Sequence, residues 1–423
     1  MVNFLAVFHT LLIFVFAWRI YRKQTALQKL FWPALAIKLI AGICLGLVYT
    51  YYYTVADTFV YFEDASRLAD LARQDLSRYL ELLFFNYHLE TTILTFNDPR
   101  AIFLTKITSV FNLITLDHYW VAGFYFSFIS FLAAWFLTRT IHRFIPSVSL
   151  AAAIAFLFFP SVVFWTSGLL KESLAMAALF FMTALFLKRW FGVKPVWWEL
   201  ILGVISLLVF WKLKYYNAAV FIPVVGTTLL YRFLIEKKLK GAQFLKVMVW
   251  FIIFCVPLAL ISVLHPNFYP DRILGVILTN NAAYNAFSDP ANVVHFSDLR
   301  ATPASLLKNA PWALFSGLFR PLFWETRSVI QFVPGVENTF LLILFAAASL
   351  RFKKFRTSPH RLLILTVGVY VILLCVLITI SAPNFGTLSR YRVGYISFFI
   401  FIVGCDNPVL QYLERTFYRL VSH

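Results

Sequence analysis

The stretch Phe159-Pro160-Ser161-Val162-Val163-Phe164-Trp165-Thr166-Ser167-Gly168-Leu169-Leu170-Lys171-Glu172-Ser173 sets an adjacent cation and anion between two long apolar runs. Ionisable groups at membrane depth are costly and survive where they pair or line a polar cavity. The stretch therefore predicts a membrane protein with a buried working site. Composition agrees, since 61% of the 423 residues are hydrophobic and only 13% are charged. A soluble domain carries about 25% charge, which excludes that class. Several apolar runs reach or approach the ~20 residues that cross a bilayer as helix. The expected fold is all-α: one polytopic integral membrane domain over 1–423.

The net charge of +18 comes from basic residues clustered between apolar runs. Such clusters mark cytoplasmic loops and suit anionic head groups, so membrane lipids, not nucleic acid, are the expected polyanionic partner. Cys44, Cys255, Cys375 and Cys405 lie within or at the ends of apolar runs and read as small apolar fillers, with no zinc-like spacing. The first run, Val2 to Trp18, has its positive residues after it, which predicts a retained span and not a cleaved signal.

Basic clusters follow the first run (Arg19, Arg22, Lys23, Lys29) and recur at Arg139, His142, Arg143 and at Lys188, Arg189, Lys194. Further clusters are Arg232, Lys237, Lys238, Lys240, Lys246 and Arg351, Lys353, Lys354, Arg356, Arg361. Taken as cytoplasmic, they predict eleven crossings, at about 2–18, 31–52, 118–138, 147–165, 172–188, 197–211, 216–232, 246–264, 337–350, 362–381 and 391–405. The N-terminus is then outside and the C-terminus cytoplasmic. Two insertions, 53–117 and 265–336, face outward. The first holds nine of the 19 acids, and its helix-like spacing over 62–83 and 101–113 predicts helices along the membrane surface. The second carries breakers at Asn280-Asn281, Ser288-Asp289-Pro290 and Thr302-Pro303, with a helix expected over 306–319. Loops of this size suggest a substrate task, because plain connections are short.

Asp57 follows the second run, with Tyr51, Tyr52, Tyr53 and Tyr61 around it. A carboxylate there suits a base for a hydroxyl acceptor or a ligand for a divalent ion; the alternative is a helix cap. Lys171 is read as facing a phosphate, or a carboxylate of the first insertion, and Glu172 as engaging an arginine or a helix N-terminus. A water-exposed turn is the alternative for both. Lys212 and Lys214 sit at an expected outward turn, against the usual topology bias, and ask for an anionic partner or snorkel to the interface. Arg320, Glu325 and Arg327 lie among bulky apolar groups in Phe319-Arg320-Pro321-Leu322-Phe323-Trp324-Glu325-Thr326-Arg327. Arg320 can grip a phosphate bidentately or pair with Glu325. Arg390, Tyr391 and Arg392 start the last span, and with the other cations they predict an anion-binding vestibule. Lys38 is the isolated mid-span charge.

An acid just beyond an early span, surface helices, many spans and a late Arg390-Tyr391 pair together resemble the lipid-phosphate-dependent membrane glycosyltransferases of the GT-C fold. The likeness loosely covers residues 31–405. It implies Asp57 as catalytic base or metal partner and Arg390 as a contact of the donor phosphate. In that family the first loop often presents two adjacent acids; here Thr58 follows Asp57, and the nearest pair is Glu63-Asp64, which adds both to the catalytic candidates. Polysaccharide polymerases of the O-antigen or exopolysaccharide type are similar more weakly, through Ser167–Ser173 and the arginines at 320, 327, 390 and 392. Both likenesses imply transfer of a sugar from a polyprenyl-linked donor to a glycan, lipid or protein acceptor. The setting implied is the outer face of a bacterial cytoplasmic membrane, alongside other envelope-biosynthesis proteins. A divalent cation such as Mg2+ or Mn2+, held by Asp57, is a candidate cofactor but none is required. A transporter of lipid-linked sugars is the non-enzymatic alternative, and an accessory membrane subunit a further one.

Overall fold

A computed structural model describes residues 2–23, 27–53, 57–85, 94–95, 98–235, 243–269, 272–351 and 358–413. The described residues are all-α and 85% helical. In chain order the helices are α1 (Val2–Tyr21), α2 (Gln28–Tyr51), α3 (Asp57–Gln74), α4 (Leu76–Phe85), α5 (Pro99–Thr115), α6 (Tyr119–Phe144) and α7 (Ser149–Ala153). They continue with α8 (Pro160–Trp165), α9 (Lys171–Trp190), α10 (Trp197–Leu230), α11 (Gln243–Leu264), α12 (Ile273–Phe287) and α13 (Pro303–Phe319). The last are α14 (Val329–Ser349), α15 (Arg361–Ser381), α16 (Phe385–Tyr391) and α17 (Val393–Gly404).

Eight helices among the described residues are long and apolar enough to cross a membrane, so this is a multi-pass membrane protein. The expected eleven crossings are not all present as such helices. Two of them, 197–211 and 216–232, fall within the single apolar run Trp197–Ile235. At ~1.5 Å per residue the 34 residues of α10 would extend about 51 Å, well beyond a ~30 Å hydrocarbon core. The run is broken at Lys214, whose backbone leaves the helical region (φ −141°, ψ 59°). The expected span 147–165 is interrupted at Phe159, before Pro160, and 391–405 is built from the short α16 and α17. Conversely α14 begins at Val329, inside the segment expected to be an outward loop. Lys237, Lys238, Lys240, Lys353, Lys354, Arg356 and Glu90 lie outside the described residues.

Two compact units are formed. The first comprises Met1–Phe144, Phe156–Lys188 and Lys194–Tyr215. Here α2 packs on α6 and α8, α1 on α5 and α6, and α3 on α4 and α5. The α2–α6 contact is close because Gly42 faces it: an added Cβ would lie 2.6 Å from Ser127 Oγ. The helix expected over 62–83 is two helices, because Asp75 breaks the run and its carboxylate caps α4 by accepting from Arg78 N at 3.0 Å. Inward residues of α3 recur at Thr58, Tyr61, Ala65, Leu68 and Ala69, the spacing of one helix face. They meet α5, where Asn112 Nδ2 donates to Ser66 Oγ at 2.9 Å.

The second unit comprises Ile145–Ala155, Arg189–Val193 and Tyr216–His423. Its centre is α15, packed on α12, α13, α16 and α17, while α14 packs on α13 and α17. Gly317 of α13 lets α15 approach until an added Cβ would stand 2.1 Å from Thr379 Oγ1.

Candidate functional site

The turn between α8 and α9 carries the charges that opened the sequence reading, and it is not a water-exposed hairpin. Thr166, Ser167, Leu169, Leu170, Glu172 and Ser173 are all buried. Irregular backbone inside a membrane domain must find internal partners for its polar groups. Gly168 N donates to Ser127 Oγ at 2.8 Å, Thr58 Oγ1 donates to Leu169 O at 2.8 Å, and Ser173 Oγ donates to Gly168 O at 2.7 Å. Gly168 has φ +64°, a conformation that glycine adopts without penalty. From below, Lys38 Nζ donates to Thr166 Oγ1, which itself donates to Val162 O at 2.6 Å. The mid-span lysine is therefore buried against this loop.

The loop delivers Lys171 and Glu172 into a charged cluster within the first unit. Neighbouring helix positions point about 100° apart, and each residue takes a different partner. Lys171 Nζ lies 3.3 Å from Asp98 Oδ2 and 4.9 Å from the centroid of the Tyr61 ring. Arg100 Nε lies 3.1 Å from Asp98 Oδ1, and its guanidinium stands 5.8 Å from the Tyr215 ring. Glu172 Oε1 meets Lys214 Nζ at 2.6 Å, with both side chains almost fully buried. Lys171 thus finds a carboxylate of the first insertion, as expected. Glu172, in the first turn of α9, pairs with Lys214, a partner the sequence reading did not name for either residue. The helical break of α10 falls at Lys214 itself.

The electrostatics favour an additional anion. Burial opposes ionisation of Asp98, but the charges of Arg100 and Lys171 outweigh it and hold the carboxyl below its ordinary value. Burial pushes the Lys106 ammonium down, and the like charge of Lys212 adds to it. Lys106 donates to Leu83 O at 3.3 Å, while Lys212 is exposed.

Asp57, half-buried, is the first residue of α3. It neighbours Thr58, whose hydroxyl holds Leu169 O and also lies 3.0 Å from Tyr119 OH. One turn on, Tyr61 lies against Lys171. The start of α3 is thus fastened to the loop that presents Lys171. The other acidic candidates sit differently. Glu63 is exposed. Asp64 is buried and accepts from Thr95 N and Thr95 Oγ1, both at 2.9 Å, and from Arg67 at 3.2 Å, so it ties residue 95 to α3. Among the described residues no three His, Cys, Asp or Glu side chains gather as a metal-binding set.

The remaining candidates belong to the second unit. Arg320 pairs with Glu325 at 2.7 Å and stands 5.1 Å from the rings of both Trp312 and Phe385. Glu325 also accepts from Leu322 N at 2.7 Å. Arg327 is exposed. Arg390 ends α16 half-buried, and Tyr391 faces Tyr216 with ring centroids 6.4 Å apart. Arg392 is 1% exposed, none of its three guanidinium nitrogens has a hydrogen-bond partner among the described residues, and Glu337 of α14 is within electrostatic reach.

Asp98, Arg100 and Thr58 complete the cluster in the first unit and were not singled out as site residues from sequence, whereas Tyr61 was noted only as an aromatic around Asp57. Asp98-Pro99 carried a readable signal, an acid before a proline at a helix start. No family model matches the chain, and no curated protein or solved structure shows significant similarity to it.

Proposed function

We propose that the protein is a membrane glycosyltransferase that moves a sugar from a polyprenyl-phosphate or -pyrophosphate carrier to a hydroxyl of a glycan, lipid or protein acceptor. The observation that carries the reading is the fastening of Asp57 to Lys171: Thr58 holds Leu169 O at 2.8 Å, and Tyr61 lies 4.9 Å from Lys171 Nζ. A carboxylate and a cation are thereby presented by one small polar construction inside an apolar protein. In the proposed inverting step the acceptor oxygen forms a bond to the anomeric carbon as the bond to the carrier phosphate breaks. Asp57 takes the hydroxyl proton, and the carrier leaves as its phosphate. Lys171, with Lys214 and Lys212 on the same side of the charge balance, stabilises the departing anion. Asp98 keeps Lys171 oriented and Glu172 keeps the buried Lys214 oriented. No metal enters the step. The reading puts the reaction at the outer face of a bacterial cytoplasmic membrane.

Membranes holding Asp57→Asn or Lys171→Gln protein, supplied with radiolabelled polyprenyl-linked sugars, test this. Loss of the base should slow transfer about 10²–10⁴-fold at unchanged protein level. The Lys171 change should slow it about 10²–10³-fold, as loss of one charge-stabilising group does. Transfer at the unmodified rate by both variants rules the assignment out.

A further inference from the structure

Arg189 and Trp190 end α9, while Arg232 and Phe233 lie on the π-helical turn Tyr231–Ile235 that continues α10. The two pairs clasp reciprocally. The Arg189 guanidinium stands 4.0 Å from the Phe233 ring centroid, and that of Arg232 stands 4.1 Å from the Trp190 ring. Beside them Phe191 meets His360 edge-on at 5.9 Å, and the exposed Arg361 opens α15. All of these residues belong to the second unit. Leu230, which ends α10, and Phe233 and Leu234 of the π-helical turn are 47%, 40% and 59% exposed. Their i, i+3, i+4 spacing makes one apolar face running up to the arginines.

A guanidinium can lie on an aromatic face, and its planar fork matches phosphate oxygens. Basic groups bordering an exposed apolar face fit an amphiphile, since a free anion would make no use of the leucines. We propose that this corner binds an anionic phospholipid, its phosphate against Arg189 and Arg232 and its acyl chains along Leu230, Phe233 and Leu234. This site is independent of the transfer reaction.

The test is native mass spectrometry of the full-length protein released from nanodiscs containing equal phosphatidylglycerol and phosphatidylcholine. The unmodified protein should retain phosphatidylglycerol preferentially, and Arg189→Ala should cut that preference about fivefold, as should Arg232→Ala. Arg189→Lys/Arg232→Lys keeps the charge but loses the fork and should fall between. Arg300→Ala, changing an exposed arginine paired with Asp298 elsewhere in the unit, should leave the preference intact. Equal retention of the two lipids by the unmodified protein overturns the proposal, as does an unaltered preference in both alanine variants. Should an alanine variant fail to insert, the lysine variant decides in the same way.

Discussion

Lys38 stands thirteen residues from the end of α2, about 20 Å at ~1.5 Å per residue, with a threonine hydroxyl as its hydrogen-bond partner. A buried polar group is expensive chiefly when its partner is removed, whereas replacing it by an apolar group of similar shape is close to neutral. Thr166→Val should therefore destabilise the protein by about 1–3 kcal/mol, and Lys38→Met by less, in thermal unfolding of purified protein. The Lys214–Glu172 pair follows the same asymmetry. Lys214→Met alone should cost about 3–5 kcal/mol by leaving Glu172 charged in the interior, and adding Glu172→Gln should recover part of that loss. Asp98 adds a pH dependence of known sign. Its carboxyl is held low in the folded protein, so its pairing contributes fully above the unfolded carboxylate range near 4 and is lost as pH falls through the lower folded value. Thermal stability followed from pH 6 to 3 should decline less steeply in Asp98→Asn than in the unmodified protein.

At the level of elements, the Thr166–Leu170 loop shows what was legible and what was not. The adjacent charges Lys171-Glu172 marked a break between two apolar runs, and α8 and α9 are separated there. What buries the loop was not readable. It depends on α2, α3 and α6 closing around the loop, and the residues that do so, Gly42, Thr58 and Ser127, lie far away in sequence and carry no local signature. Gly168 is the position where this packing has least tolerance. Alanine there meets both the left-handed backbone and a Leu45 methyl 2.9 Å from the new Cβ, so Gly168→Ala should lower stability by at least about 1–2 kcal/mol in the same unfolding measurement. The acid-rich first insertion was read correctly as helical, yet its division at Asp75 was missed because an aspartate suits a cap as readily as a solvent-facing helix position.

For the whole molecule, composition and run length were enough to indicate a many-span helical protein, and eight qualifying helices bear that out. The excess in the expected count arose where hydropathy was continuous but backbone was not, at Phe159 and around α16 and α17, whereas the division expected between 211 and 216 falls where the backbone of α10 breaks, at Lys214. Positive residues at the ends of runs argue for the N-terminus outside. In a cysteine-free background, Glu63→Cys should react with a membrane-impermeant maleimide applied to intact cells, and Lys23→Cys should react only after lysis. The reverse pattern inverts the proposed orientation and with it the face on which transfer occurs.

The loop before Lys171 also constrains how the chain is made. Its carbonyl and amide groups are satisfied by hydroxyls of Thr58, Ser127 and Ser173, which do the work that water would do elsewhere. Two of these three are synthesised before the loop itself, and the third follows within five residues of Gly168. Biogenesis of this region therefore cannot proceed as independent deposition of one hydrophobic rod after another. α2, α3 and α6 must be gathered as a receiving cradle by the time the loop enters the bilayer, or its bare peptide groups would face hydrocarbon.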